Sequence, residues 1–223
     1  MKLAELIRGL RVDLRDLAAP YFWSNEELVY WLNEAQTEAA ERGRLLLERS
    51  NPAVTRVALV AGQASYNLHK SLFELVNIHL LNRPDKQIHL HTAEWLDANR
   101  PGWRERANWL TQGPEFALLE RGVLTLMPAP HRDGTLVVEG YRTPLAELQD
   151  DNDEPELDSK DHRFLMDWVQ YRAFSVPDAE AFDPNRARAA LERFTAHFGE
   201  HPGTNRRAWT REDEPHVTRP FWP

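Results

Sequence analysis

The apolar positions in residues 1–50 recur at the spacing of an amphipathic helix. The first apolar stripe comprises Leu3, Leu6, Ile7, Leu10, Leu14 and Leu17. This stripe predicts a helix that Pro20 ends, because a proline ring is not accommodated in a helix interior. An amphipathic helix buries its apolar face, so this first helix must pack against other elements of the chain.

The sequence WSNEEL carries three agreeing signals of a helix start. Ser24 is a preferred N-cap residue, and Glu27 stands where a capping box requires it. Trp23 and Leu28 occupy the two positions of a hydrophobic staple. A second helix is therefore predicted from about Asn25 to Arg49, long enough to act as a structural spine.

Between residues 52 and 147 the apolar pattern changes to short runs separated by turn residues, as in strands. The runs are VTRVALV, ASYNL, ELVNIHLL, KQIHLH, FALLERGVLTLMP and HRDGTLVVEGYR. FALLERGVLTLMP predicts a hairpin that turns at Arg121-Gly122, and HRDGTLVVEGYR predicts a turn at Asp133-Gly134 followed by a strand. TAEWLDANRP predicts a short helix with Thr92 as its cap. This part of the chain predicts a β-rich module of about six strands.

Residues 147–157, ELQDDNDEPEL, are strongly acidic and predict a solvated linker to two further helices. Asp158 is predicted to cap the first of these helices. Its apolar side carries Phe164, Leu165, Trp168 and Tyr171. Asp183 is predicted to cap the second helix, with Pro184 in its first turn and Gly199 as its stop.

Helices thus bracket a β-rich part, while the residues after Gly199 show no periodicity. The economical fold is α+β. Residues 1–50 and 157–199 form one helical bundle, residues 52–147 form an inserted β-rich module, and residues 200–223 form an extended C-terminal tail.

The composition narrows the function classes. The net charge of −8 argues against a general nucleic-acid binder, which needs a basic surface. The chain has no cysteine, which removes disulfides, thiol catalysis and cysteine-based zinc sites. Charges recur through the first 17 residues, unlike a signal peptide, and no apolar run approaches the roughly 20 residues of a membrane span. These features predict a soluble protein.

Three histidines offer the one candidate metal site. If residues 75–82 pair with residues 87–91 across a turn at Arg83-Pro84-Asp85, His79 faces His89, and His91 shares their side of the strand. Three histidines on one face can bind zinc. The simpler interpretation places apolar neighbours in the core and the histidines on the outer face, with no metal.

Other candidate chemistry finds less support. The carboxylates Asp150, Asp151, Asp153, Glu154 and Glu156 lack the central glycine and final glutamate of an EF-hand loop. The chain has no G-x-S-x-G nucleophile elbow and no clustered glycine loop for phosphates. We therefore expect no catalytic site and no cofactor.

The C-terminal residues have the composition of a partner-binding segment. An extended segment cannot bury large aromatic side chains by itself, and aromatic residues beside arginines are typical interface anchors. The predicted partner-binding residues are Arg206, Arg207, Trp209, Arg211, Phe221 and Trp222. The alternative is a disordered terminus.

The order of these motifs resembles one known family. The tryptophan-capped helix WSNEELVYWLNEAQTEAAERGRLL precedes GQASYNL, TAEWLDANRPGWRE, LTLMPAP and LVVEGYRTP. An acidic linker then leads to DHRFLMDWVQYRAF and PDAEAFDPNRARAALERFTAHFG. Over about residues 20–199 this arrangement resembles the adaptor, or head-to-tail connector, proteins of tailed bacteriophages.

The resemblance implies a structural protein of the virion, made in the host cytoplasm. Such adaptors form a ring of about twelve copies beneath the portal. The ring continues the DNA channel without specific DNA binding and carries tail or nozzle proteins. No catalytic residue comes with the family. The alternatives are another neck or tail-completion protein and, from a different class, a histidine-based metal-dependent enzyme.

Overall fold

The computed structural model of the chain describes residues 1–104, 113–177 and 181–201. These residues contain helices and two sheets, which confirms the mixed α+β class. They divide into two compact units. The helical unit is built from Met1–Leu47 and Tyr141–Pro202, and the strand-rich unit from Glu48–Gly140.

The helices in chain order are α1 (Leu3–Leu14), α2 (Asn25–Gly43), α3 (Pro52–Thr55), α4 (Ala93–Asn99), α5 (His162–Ser175) and α6 (Pro184–Phe198). The strands are β1 (Leu47–Glu48), β2 (Arg56–Leu59), β3 (Ser65–Asn67), β4 (Leu72–Leu80), β5 (Arg83–Gln87), β6 (His89–Leu90), β7 (Phe116–Glu120), β8 (Val123–Met127) and β9 (Gly134–Arg142).

Several helix boundaries follow the sequence signals. The Ser24 hydroxyl accepts from the backbone N–H of Glu27 at 3.1 Å, and the Glu27 carboxylate accepts from the Ser24 N–H at 2.8 Å. This is the predicted capping box. The Asp183 carboxylate accepts from two backbone N–H groups at the start of α6, and Gly199 ends that helix with φ of 89°. Thr92 caps α4 through the Trp95 N–H.

Other predicted boundaries are wrong. Helix α1 ends at Leu14, not near Pro20, because Arg15 adopts the left-handed conformation. Helix α2 ends at Gly43, not at Arg49, because Arg44 does the same. The N-cap of α5 is Asp161, not Asp158.

The run VTRVALV is not one strand. Its first residues belong to the helical turn α3, where the Asn51 side chain accepts from the Ala53 N–H and Pro52 occupies the first turn. Only residues 56–59 pair as strand β2. The Asn-Pro dipeptide before the run therefore outweighs the β-propensity of Val54.

The helical unit has one hydrophobic core, to which α1, α2, α5 and α6 all contribute. Helix α2 is central to it: from Trp31 to Glu41 none of its residues is fully exposed. Phe194 of α6 and Leu32 of α2 are completely buried. The long second helix is thus a spine for this unit, although it is shorter than the sequence predicted.

The strand-rich unit contains the two sheets. One has the order β1-β9-β4-β5, with β2 also paired to β9, and the other has the order β3-β8-β7-β6. The predicted hairpin is confirmed, because β7 and β8 pair antiparallel around Arg121 and Gly122, both with positive φ. Gly134 is the first residue of β9, and the Asp133 carboxylate accepts from the Ala61 N–H. Glu48–Gly140 contains more strand segments than the predicted six.

Residues 147–157 are not a free linker. Leu148 and Leu157 are buried in the core of the helical unit. The backbone carbonyls of Asp151 and Asp153 accept hydrogen bonds from the N–H groups of Ala4 and Leu3. Glu147, Asp150, Asp151 and Glu154 are exposed, as expected of a solvated segment, but the backbone is fixed to the start of α1.

Candidate functional site

The turn after α1 presents large apolar side chains to solvent. Leu17 was predicted on the buried stripe, but it is 67% exposed because the helix ends three residues earlier. Val12, Tyr21 and Phe22 are 58%, 50% and 46% exposed. We call these four side chains, with Arg8 and Arg15, the α1-end patch. A fixed loop that displays large apolar groups is typical of a binding surface.

A buried ion pair holds this turn in place. Arg11 and Asp16 form a salt bridge, and the side chains of both residues are about 8% exposed. The Arg11 guanidinium also donates to the Trp23 carbonyl at 2.6 Å and to the Asn25 side chain at 2.7 Å. The guanidinium carbon of Arg11 also lies over the Tyr21 ring, 4.0 Å from the ring centroid, in a cation–π contact. One side chain of α1 thus fixes the loop and the first residue of α2.

Asp16 completes the network from the loop side. Its carboxylate accepts from the backbone N–H groups of Phe22 at 2.9 Å and Trp23 at 3.1 Å. Burial alone would raise the pKa of Asp16, but these N–H groups and the Arg11 charge outweigh it, so the pKa lies below its ordinary value. The carboxylate is therefore charged at neutral pH and closes a tight loop.

The inward side of the same loop is aromatic. Trp23 is buried and packs edge-on against Trp31 of α2, with 5.3 Å between ring centroids. Phe22 contacts Trp23 at 4.6 Å, also edge-on. Trp23 therefore anchors the loop from the inside, while the rings of Tyr21 and Phe22 are exposed. These outward rings are held in position by the structure beneath them.

The exposed stripe of α1 carries unpaired positive charge. Arg8 and Val12 lie one turn apart on this stripe, Arg15 follows at the helix end, and all three are exposed. Within the described residues, neither arginine side chain has an ion-pair partner. The α1-end patch is therefore both apolar and basic.

The opposite charge lies at the other end of α1. In residues 147–157, which we call the acidic segment, exposed carboxylates without a described partner are Glu147, Asp150, Asp151 and Glu154. Asp153 has another role: its carboxylate accepts from the N–H groups of Asp150 and Gln149, which lower its pKa. The segment is thus a structured acidic surface.

The structure separates the candidate metal ligands. His79 lies in β4 and pairs with Gln87 of β5, whereas His89 lies in β6 of the other sheet. The predicted pairing of His79 with His89 is wrong, because a bulge between His79 and Leu80 shifts the register and Arg83–Gln87 is itself a strand. Among the described residues no group of three or more histidine or carboxylate side chains could hold a metal ion.

His91 is not on an outer face either. It is only 5% exposed, and its ring stacks on Trp95 at 3.5 Å with an angle of 7° between the planes. Trp103 donates to Asp97, and Arg104 pairs with the same carboxylate. The hydrogen bonds from Arg104 and Trp103 lower the pKa of Asp97. Trp95 and Trp103 therefore both make local packing and hydrogen-bonding contacts.

The predicted partner-binding residues Arg206, Arg207, Trp209, Arg211, Phe221 and Trp222 lie outside the described residues. The α1-end patch was not predicted from the sequence. Its signal was present in the unbroken apolar spacing from Leu14 to Leu17, which was assigned to a helix face.

Comparison with protein families gives one match. The family model described as SU10 adaptor protein matches residues 1–219. No curated protein matches the chain. No helix in the described part of the chain is long and apolar enough to cross a membrane. The match covers nearly the whole sequence, so the chain belongs to the SU10 adaptor protein family, and the resemblance to phage adaptors is confirmed.

Proposed function

We propose that this member of the SU10 adaptor protein family joins the portal of a phage head to the tail. Copies of the chain form a ring of about twelve around the axis. The ring continues the DNA channel, sits at the head–tail interface of the virion and carries tail or nozzle proteins. The observation that supports this function is the family match over residues 1–219.

The chemistry of the chain is compatible with a channel component. The net charge of −8 disfavours tight binding to phosphates, so DNA slides past instead of adhering. The proposed body of the ring is a bundle of residues 1–50 and 157–199, with residues 52–147 as an insertion. A separate arm then makes the contact with the portal.

We assign that contact to residues 200–223. Trp209, Phe221 and Trp222 supply large apolar surface, and the neighbouring arginines supply charge-assisted hydrogen bonds. Aromatic and arginine side chains dominate the binding energy of many interfaces, which supports this choice of residues. The arm is also free of cysteine, so portal attachment does not depend on a disulfide.

The test compares portal binding of two arm variants with the intact chain. Deletion of residues 203–223 should weaken binding to purified portal without changing the unfolding of the helical unit. A matched variant keeps the arm length but replaces Trp209, Phe221 and Trp222 by serine. We expect it to bind as weakly as the deletion, because the aromatic side chains are the proposed anchors. Unchanged binding of both variants would refute the role of the arm.

A further inference from the structure

The helical unit carries two complementary surfaces at opposite ends of one helix. The acidic segment is bonded through its backbone to Leu3 and Ala4, at the start of α1. The α1-end patch lies around Arg15, where the helix has ended. From Ala4 to Arg15 the helix rises by about 16 Å. This separation exceeds the Debye length of about 8 Å in physiological salt, so Arg15 and the acidic segment are largely screened from each other within one copy, whereas Arg8 lies about one helical turn from Ala4.

Each surface contains charged groups without a described partner, although Glu156 of the acidic segment pairs with Arg142. Arg8 and Arg15 are unpaired within the described residues, and so are the carboxylates of Asp150 and Asp151. The apolar part of the patch has a counterpart as well, because Leu145, just before the acidic segment, is 42% exposed. The two surfaces therefore carry opposite charges, and each also offers an exposed apolar side chain for contact.

We infer that the α1-end patch of one copy docks on the acidic segment of the next copy. This inference rests on the proposed ring, for which it names the contact between subunits. The contact joins two different surfaces of the same chain, so it is head-to-tail, and such contacts close into rings when the rotation between copies permits. The partner that binds the patch is a second copy of the chain, because the basic patch and the acidic segment carry complementary charges.

The structure beneath the patch suits this role. Arg11 and Asp16 fix the loop through buried hydrogen bonds, so Tyr21 and Phe22 are ordered before they meet a partner. A contact that is ordered in advance loses less conformational entropy on binding. In this contact Tyr21 and Phe22 are the apolar anchors, while Arg8 and Arg15 fix the register against the carboxylates.

Cross-linking tests the contact directly, because the chain has no natural cysteine. One variant carries Leu17→Cys and the other carries Asp151→Cys, both at exposed positions. After mild oxidation, we expect a dimer when the two variants are mixed and none from either variant alone. A chain with both substitutions should give a ladder of oligomers. In the matched control, Leu17→Cys is mixed with Glu192→Cys, an exposed position on α6, and this mixture should give no cross-link.

Two results would overturn the inference. Cross-linking of one variant with itself would show a contact between identical surfaces, and no cross-link in the mixture would show that the surfaces do not meet. Each outcome is separate from portal binding, which is measured on the same variants in the reduced state. A chain that binds portal but gives no mixed cross-link keeps the proposed function and loses this contact.

Charge reversal provides an independent measurement with the same logic. The double change Arg8→Glu with Arg15→Glu should lower the cross-link yield about tenfold, because like charges then face each other. The double change Asp150→Lys with Glu154→Lys should have the same effect for the same reason. A chain that carries all four reversals should regain the yield, since the charges are again opposite. Failure of this rescue, with both reversed pairs folded, would count against charge pairing at the contact.

Discussion

The buried pair beneath the α1-end patch gives the sharpest stability prediction. Replacement of Asp16 by alanine leaves the Arg11 guanidinium buried without its counter-ion and removes the acceptor for the N–H groups of Phe22 and Trp23. Loss of one partner of a buried ion pair costs about 3–5 kcal/mol, and the loop can relax to admit water. We therefore expect the free energy of unfolding of the helical unit to fall by about 3 kcal/mol.

The assay is equilibrium unfolding in urea at neutral pH, compared with Glu26→Ala. Glu26 is an exposed carboxylate in the first turn of α2, and its removal should change the stability by less than about 0.5 kcal/mol. The double variant Arg11→Met with Asp16→Ala should cost less than the sum of the two single changes, because it leaves no unpaired buried charge. A cost for Asp16→Ala no larger than for Glu26→Ala would refute the role of the pair.

The pH dependence has a definite sign. The pKa of Asp16 is lower in the folded chain than its ordinary value of 3.8. Its contribution to stability is therefore fully present above about pH 4 and is lost as the pH falls through the folded pKa. The difference in unfolding free energy between the native chain and Asp16→Asn should be constant at neutral pH and shrink below about pH 4. A difference that grows on acidification would contradict the assigned direction.

Three further predictions address the cores and the histidines. Gly140→Ala would place a Cβ atom 2.3 Å from the Glu74 carbonyl oxygen, so it should destabilise the strand-rich unit by about 1–3 kcal/mol in urea unfolding. Gly134→Ala on the same strand meets nothing within 4 Å and should be nearly neutral; equal effects would contradict the packing. Phe194→Ala removes a completely buried ring of the helical unit and should cost about 3–5 kcal/mol, whereas a cost below about 1 kcal/mol would contradict its burial. Metal analysis of purified protein should find no stoichiometric zinc, because His79 and His89 lie in different sheets and the His91 ring stacks on Trp95; bound zinc would reopen the enzyme alternative.

The sequence predicted those features that depend on a few neighbouring residues. The start of α2 depends on Ser24 and Glu27, which are three positions apart, and the structure shows both of their hydrogen bonds. The hairpin at Arg121-Gly122 depends on a two-residue turn and was predicted equally well. Local capping and turn chemistry is present in the sequence itself, so no tertiary information is needed.

Features set by contacts across the chain were not predictable in this way. The end of α1 depends on hydrogen bonds that join Arg11 and Asp16 to residues beyond the turn, and hydrophobic spacing does not report them. The strand register around His79 depends on a bulge, and a shift of one residue moves every side chain to the other face. The acidic segment looked like a linker because its acidic composition outweighed two buried leucines, Leu148 and Leu157, and because its other anchors are backbone groups, which leave no mark in the composition.

The proposed function requires that the chain forms the ring that joins the portal to the tail. Electron microscopy of the purified chain mixed with its portal tests it most directly, because one image gives the partner, the symmetry and the copy number. We expect a closed ring of the chain on the portal, coaxial with the channel, with residues 200–223 in contact with portal subunits. A portal that remains bare, or a chain bound away from the axis, would contradict the proposed function.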